Sequence, residues 1–276
     1  HRESMAQLPL LLTAILLYTI TVAGFSRQVA RGPGGSSTAR TVLLLVGLLA
    51  IGLHAAVLYS QSYAQAGLDL RFFNAASLIG WLMGAMVLLA ALRLQVDTLV
   101  VVVLPIGAVM LLLSAVLHEP ATQSVAATGR FAGLDLHVVS SILAFSVLNV
   151  AVLQALALAY QDRQLRRRRL SGLVRLLPPL SVMETLLFQI LSIGFVLLTV
   201  SLASGWLFLE DLLAQHLVHK TVLSVLAWLL FGGLLLGRNL WGWRGRLAIR
   251  WTLGGFAALM LAYFGTKLVL ELILQR

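Results

Sequence analysis

Eight runs of apolar residues, at 8–25, 41–60, 72–92, 98–117, 136–160, 186–207, 221–236 and 247–273, divide this 276-residue chain into segments that few charges interrupt. A hydrocarbon core about 30 Å thick needs roughly 20 apolar residues in a helix to cross it, and a helix satisfies its own backbone in lipid. Each run can therefore span a bilayer. The seventh is short alone and takes in His219 and Lys220 at one end. With 60% hydrophobic and 11% charged residues, the chain is too apolar for a soluble domain. Spans and short loops consume its length. The expectation is an all-α polytopic membrane protein of about eight transmembrane helices, one domain over 5–276. Residues 1–4 precede Met5 and read as a cloning scar. The first run lacks a basic region before it and a small-residue cleavage site after it, so it reads as a retained span rather than a signal peptide.

Charge placement predicts the orientation. Lys and Arg outnumber Asp and Glu by 20 to 10. Arg27, Arg31 and Arg40 mark the first loop, Arg93 the third, Arg163, Arg166, Arg167, Arg168, Arg169 and Arg175 the fifth, and Arg238, Arg244 and Arg246 the seventh. The even loops are balanced: Asp69 and Arg71, then Glu119, Arg130 and Asp135, then Glu210, Asp211 and Lys220. Arginine-rich loops stay cytoplasmic, which places the even loops and both termini on the outer, periplasmic side of a bacterial inner membrane. The stretch 164–177 alternates arginine with leucine and reads as an amphipathic helix on anionic lipid. No aromatic residues interleave with it, so nucleic acid is not an expected partner. The chain has no cysteine, which removes disulfides, thiolate ligands and cysteine nucleophiles.

Beyond residue 4 the chain holds His54, His118, His137, His216 and His219, and this topology places all of them in the outer half. His54 lies within a span, where an idle polar group is costly. His118 ends the fourth span and His137 starts the fifth. His216 and His219 are three apart and share a helix face. Neutral imidazoles can bind iron, copper or zinc, and a pair from different helices can clamp heme iron from both faces. Heme carboxylates need cations where the lipid ends, and Arg71, Arg130 and Lys220 lie at that depth. At the interface, His118 and His216 can equally be simply solvated.

Other signals point to structure. Glu184 reads as a helix cap or an arginine partner, Lys267 with Glu271 as a helical ion pair, and Gly232-Gly233 and Gly254-Gly255 as close-packing sites. No phosphate-binding glycine loop, H-E-x-x-H motif or G-x-S-x-G elbow is present, so no catalytic group is recognised.

The second half resembles the integral-membrane cytochrome c assembly family, which includes CcsA- and CcmC-type heme-handling proteins. The similarity runs from Leu136-His137-Val138 through Gly194-Phe195-Val196-Leu197-Leu198-Thr199 and Ser204-Gly205. It resumes at Lys220, Leu226-Ala227-Trp228, Gly242-Trp243-Arg244-Gly245, Gly255-Phe256 and Tyr263-Phe264-Gly265, covering roughly 134–266. The family's tryptophan-rich outer motif is absent, since the corresponding stretch reads LFLEDLLAQHLVH, and a late histidine is missing from LVLELILQR. That pattern is similar to the HemX-like, YpjD-type branch. The resemblance implies heme b binding or heme-protein assembly without direct ligation of heme to apocytochrome.

The functional expectation is a non-enzymatic membrane protein that holds or relays heme b at the outer face. His137 and His219 are the first-choice axial pair, and His54 and His118 the second. His216 could supply the missing ligand, and Arg71, Arg130 and Lys220 would hold the propionates. Membrane lipid and cytochrome c maturation or other heme-protein assembly factors are the expected partners. Two other readings stay open: a transition-metal or small-solute transporter using the same histidines, and a membrane scaffold for a respiratory or assembly complex.

Overall fold

A computed structural model describes residues 2–31, 37–62, 72–117, 132–167, 177–208 and 218–265. These form eight α-helices and, among the described residues, no strand. They are α1 (Arg2–Arg31), α2 (Ser37–Ser62), α3 (Phe72–Ala91), α4 (Asp97–Val116), α5 (Ala132–Arg166), α6 (Leu180–Phe208), α7 (Val218–Trp241) and α8 (Arg246–Met260). The first seven contain stretches long and apolar enough to cross a membrane. Helix α8 passes into a π-turn at Leu261–Gly265. The polytopic, all-helical architecture is as the apolar runs predict.

Helices α1, α2, α5, α6 and α7 are longer than their apolar runs, because a helix continues past the lipid wherever its next residues are good helix formers. Helix α5 runs on to Arg166, so the first residues of the 164–177 stretch are its last turn; residues 168–176 lie outside the described residues. Helix α7 takes in His219 and Lys220 at its start. It ends at Gly242, whose φ of 67° is the left-handed conformation that glycine adopts without a Cβ penalty. There the Gly242 amide donates to Arg238 O, 3.1 Å away.

Two compact units emerge, His1–Thr128 and Gly129–Arg276. In the first, α1 packs on α2, α2 on α3, α3 on α4 and α4 back on α1, closing a four-helix bundle. On α1 the inner stripe is Leu11, Ala14, Tyr18, Thr21 and Phe25, all buried, while Leu8, Leu12, Leu16 and Ile20 face outward. That alternation of 3- and 4-residue steps is the seam of a helix packed at a shallow angle. Lipid is as apolar as leucine, so association relies on close packing and interhelical hydrogen bonds. The Gly80–Gly107 crossing of α3 and α4 shows this: a Cβ on Gly107 would stand 3.1 Å from the Gly80 carbonyl oxygen. At one end, Arg40 grips the α3–α4 connection. Its guanidinium reaches Asp97 at 2.9 Å and donates to the carbonyls of Ala91 and Leu94 at 2.6 and 3.0 Å.

The second unit closes the same way, α5 on α6, α6 on α7, α7 on α8 and α8 on α5. Helices α5 and α6 form its main antiparallel pair, with Gly194 pressed against Leu148 and Gln154 donating to Met183 O at 2.9 Å. Gly232 and Gly233 admit the rings of Phe195 and Trp251, and Gly255 admits Phe231. Gly254 faces open space, so of the predicted close-packing glycines it is the exception: the rotation of α8 turns Gly255 rather than Gly254 onto α7. Exposed Trp206 and Phe208 end α6, and exposed Trp241 ends α7 at the opposite end of the unit, the arrangement of aromatic belts at two membrane interfaces.

Candidate functional site

His137 sits in the second turn of α5 and is half-buried. Its Nδ1 lies 2.8 Å from the backbone carbonyl oxygen of Ser201 on α6. A carbonyl only accepts, so Nδ1 must carry the proton, and in the neutral ring the lone pair belongs to Nε2. No described residue hydrogen-bonds to Nε2. An imidazole whose one nitrogen donates to a carbonyl while the other offers its lone pair has the second-shell arrangement of a metal-ligating histidine. Hydroxyls surround the spot: Ser204 also donates to the Ser201 carbonyl at 3.0 Å, and Ser141 lies 2.6 Å from the Ser201 hydroxyl.

His54 stands differently. It is fully buried in the first unit, with Nδ1 2.9 Å from the Tyr18 hydroxyl of α1 and Nε2 3.0 Å from the Ser77 hydroxyl of α3. Both ring nitrogens are engaged, so this histidine ties three helices together, and a metal could reach it only by displacing one partner. The Tyr18 hydroxyl packs beside Gly107, where a Cβ would lie 3.9 Å from it. Nearby Trp81 donates its indole N–H to Ile51 O at 2.9 Å.

His219 and Lys220 lie in the first turn of α7. Since α5 starts, α6 ends and α7 starts at one end of the second unit, His219 belongs to the same end as His137. The His219 side chain is outside the described residues, and Lys220 is half-exposed. His118, His216, Arg71 and Arg130 also lie outside the described residues, as does the Lys267–Glu271 pair. Among the described residues, no three His, Asp or Glu side chains converge as a metal site would need. The donor described at this end of the second unit is one imidazole nitrogen, a ligand type that fits an iron already held by four porphyrin nitrogens.

Sequence reasoning singled out both described histidines but missed their partners. Tyr18, Ser77, Ser141 and Ser201 are common residue types in helices, and their separations from the histidines, 36 and 23 residues for the first two and 64 for Ser201, leave no local pattern. At the basic end of the second unit, Asp162 links Arg166 and Arg246, each at 3.1 Å. Arg238 lies over the Phe188 ring, 3.8 Å from its centroid. Elsewhere in the second unit Phe145 stacks on Tyr263 at 5.0 Å, and Phe195 on Trp228 at 5.5 Å.

The chain is 30% identical over 264 residues to the inner membrane protein YpjD of Escherichia coli strain K12, covering 95% of this chain and 98% of that one. It is 36% identical over 143 residues to the 28.8 kDa protein of the nifR3-like 5' region of Azospirillum brasilense, covering 51% and 53%. No solved structure matches the chain. Residues 42–274 match the family model described as cytochrome C assembly protein. The match takes in most of the first unit as well as the second, so the likeness is not confined to 134–266. The chain belongs to the cytochrome c assembly protein family, as a polytopic membrane protein.

Proposed function

We propose that this chain is a bacterial inner-membrane protein that binds heme b and holds or relays it at the outer membrane face, in cytochrome c biogenesis or related heme-protein assembly. The observation that carries the reading is the state of His137. Its Nδ1 donates to Ser201 O at 2.8 Å, which puts the lone pair on Nε2, where no described residue bonds, as the atom that would ligate heme iron. His219, at the same end of the second unit, is the first-choice second ligand. Lys220 beside it would partner a propionate. Heme would supply an iron that accepts imidazole nitrogen and two carboxylates, and this chain's part would be to orient and desolvate it. Binding and handoff need no catalytic group. His54 and His118 form the second-choice pair, and there His54 would first have to release Tyr18 or Ser77.

The test is the oxidised and reduced absorption spectrum of detergent-purified protein supplied with heme during expression. A Soret band with sharp reduced α and β bands in the parent chain, lost in the His137→Ala/His219→Ala double variant with membrane insertion retained, is the expected result. An unchanged spectrum in that variant would overturn the ligand assignment. Bound copper or zinc without a porphyrin band would favour a metal carrier instead.

A further inference from the structure

The hydroxyls beside His137 form a circuit whose direction can be worked out. The Ser141 hydroxyl lies 2.6 Å from the His137 carbonyl oxygen, and a carbonyl cannot donate, so Ser141 spends its only proton there. Its 2.6 Å contact with the Ser201 hydroxyl must then be donated by Ser201. The His137 ring in turn donates from Nδ1 to the Ser201 carbonyl. The loop closes: imidazole to Ser201 carbonyl, Ser201 hydroxyl to Ser141, Ser141 to the backbone of His137. Every donor in it has one assignment.

This is more than the usual behaviour of serine in an apolar helix. Ser140, Ser146 and Ser192 turn their hydroxyls onto carbonyls of their own helices, as hydroxyls without water generally do. Ser201 instead points out of α6 to α5. It joins the two helices at the residue whose carbonyl holds the histidine.

We propose that Ser141 and Ser201 are positioning residues for His137: together they hold its ring as the Nδ1–H tautomer with Nε2 presented, and so set how tightly that nitrogen retains heme iron. The heme part rests on the function proposed above; the tautomer part does not. The acceptor for Nδ1–H is a neutral carbonyl, which polarises the ring less than a carboxylate would, so the ligand stays a neutral imidazole. Such a ligand suits a protein that must give its heme up.

Two measurements on the full chain in lipid nanodiscs separate the parts. In the first, nitrogen NMR of 15N-histidine-labelled protein without heme reads the tautomer of His137, assigned by its loss in His137→Gln. The parent chain and Ser146→Ala, whose hydroxyl bonds to Ile142 O within α5, should show the Nδ1–H form alone. Ser141→Ala and Ser201→Ala should show a mixture, and Ser141→Thr should restore the single form. In the second, heme-loaded protein is mixed with apomyoglobin. The two alanine variants should release heme roughly 10-fold faster, the lower end of what loss of a second-shell partner costs in metal affinity. Tautomer mixing without any heme binding by the parent chain would uphold the positioning role and sink the heme reading. A parent ring in the Nε2–H form, or a tautomer and release rate that neither alanine variant moves, would overturn the proposal.

Discussion

Replacing His54 with leucine tests whether that histidine holds the first bundle together or waits for a ligand. Leucine nearly matches the imidazole in volume, so the change leaves little cavity and isolates the polar terms. Two interhelical hydrogen bonds are lost, to Tyr18 and Ser77, worth about 0.6 kcal/mol each by the average for membrane helices. Ser77 can turn its hydroxyl to a carbonyl of its own helix. Tyr18, fully buried against Gly107, has no such local escape, and an orphaned buried hydroxyl costs a further 1–3 kcal/mol or about that. His54→Leu should therefore destabilise by about 2–4 kcal/mol. Removing the orphan as well, in Tyr18→Phe/His54→Leu, should bring the protein back to within about 1 kcal/mol of the parent, since replacing both partners by apolar groups is nearly neutral. The assay is reversible unfolding in mixed micelles of dodecyl sulfate and a mild detergent, followed by far-ultraviolet circular dichroism. A His54→Leu variant as stable as the parent, or a double variant whose loss equals the sum of the single losses, would refute the clamp. Loss of the heme spectrum in the restabilised double variant would show instead that His54 is a ligand.

Arg40 binds Asp97 and two carbonyls at the α3–α4 connection through one planar fork. Arg40→Lys should lose nearly as much as Arg40→Ala, about 1–2 kcal/mol after discounting for partial exposure, because an ammonium cannot reproduce the fork; thermal unfolding in detergent reads it, and full rescue by lysine would count against the geometry. At the helix crossing, Gly107→Ala places a Cβ 3.1 Å from a backbone oxygen, so it should cost about 1–3 kcal/mol by overpacking, whereas Gly254→Ala, in open space, should be neutral or slightly stabilising in the same assay. Gly242→Ala forces a side chain into the left-handed region at φ 67° and should cost about 1–2 kcal/mol, seen as a lowered midpoint of unfolding.

How much of this was legible in the chain differs between scaffold and site. The helices could be read directly, because a span of apolar residues in lipid has to be helical whatever its neighbours do. His54 stood out because polar groups are rare and costly within a span, and His137 because it starts a span at the outer end and matches the family's histidine-valine. The extent of α8 was less legible. The run 247–273 reads as one span, yet regular α-helix ends at Met260 and passes into a π-turn that sets Tyr263 against Phe145, a contact made across more than 100 residues. The choice between Gly254 and Gly255 was equally hidden, since only the rotation of α8 against α7 decides which of the two meets Phe231.

By itself the sequence determined the number and type of helices, the membrane as solvent, the family, and five histidines worth attention, all of which follow from local composition, spacing and motif. Only the tertiary structure decided what His54 and His137 among them can do. Helix rotation and packing put a carbonyl and two serine hydroxyls beside His137, leaving Nε2 without a described partner, and put hydroxyls on both nitrogens of His54. A hydrogen bond between helices depends on which faces meet and at what height. In lipid nearly every face is apolar, so the sequence pattern that would reveal the inward face is weak.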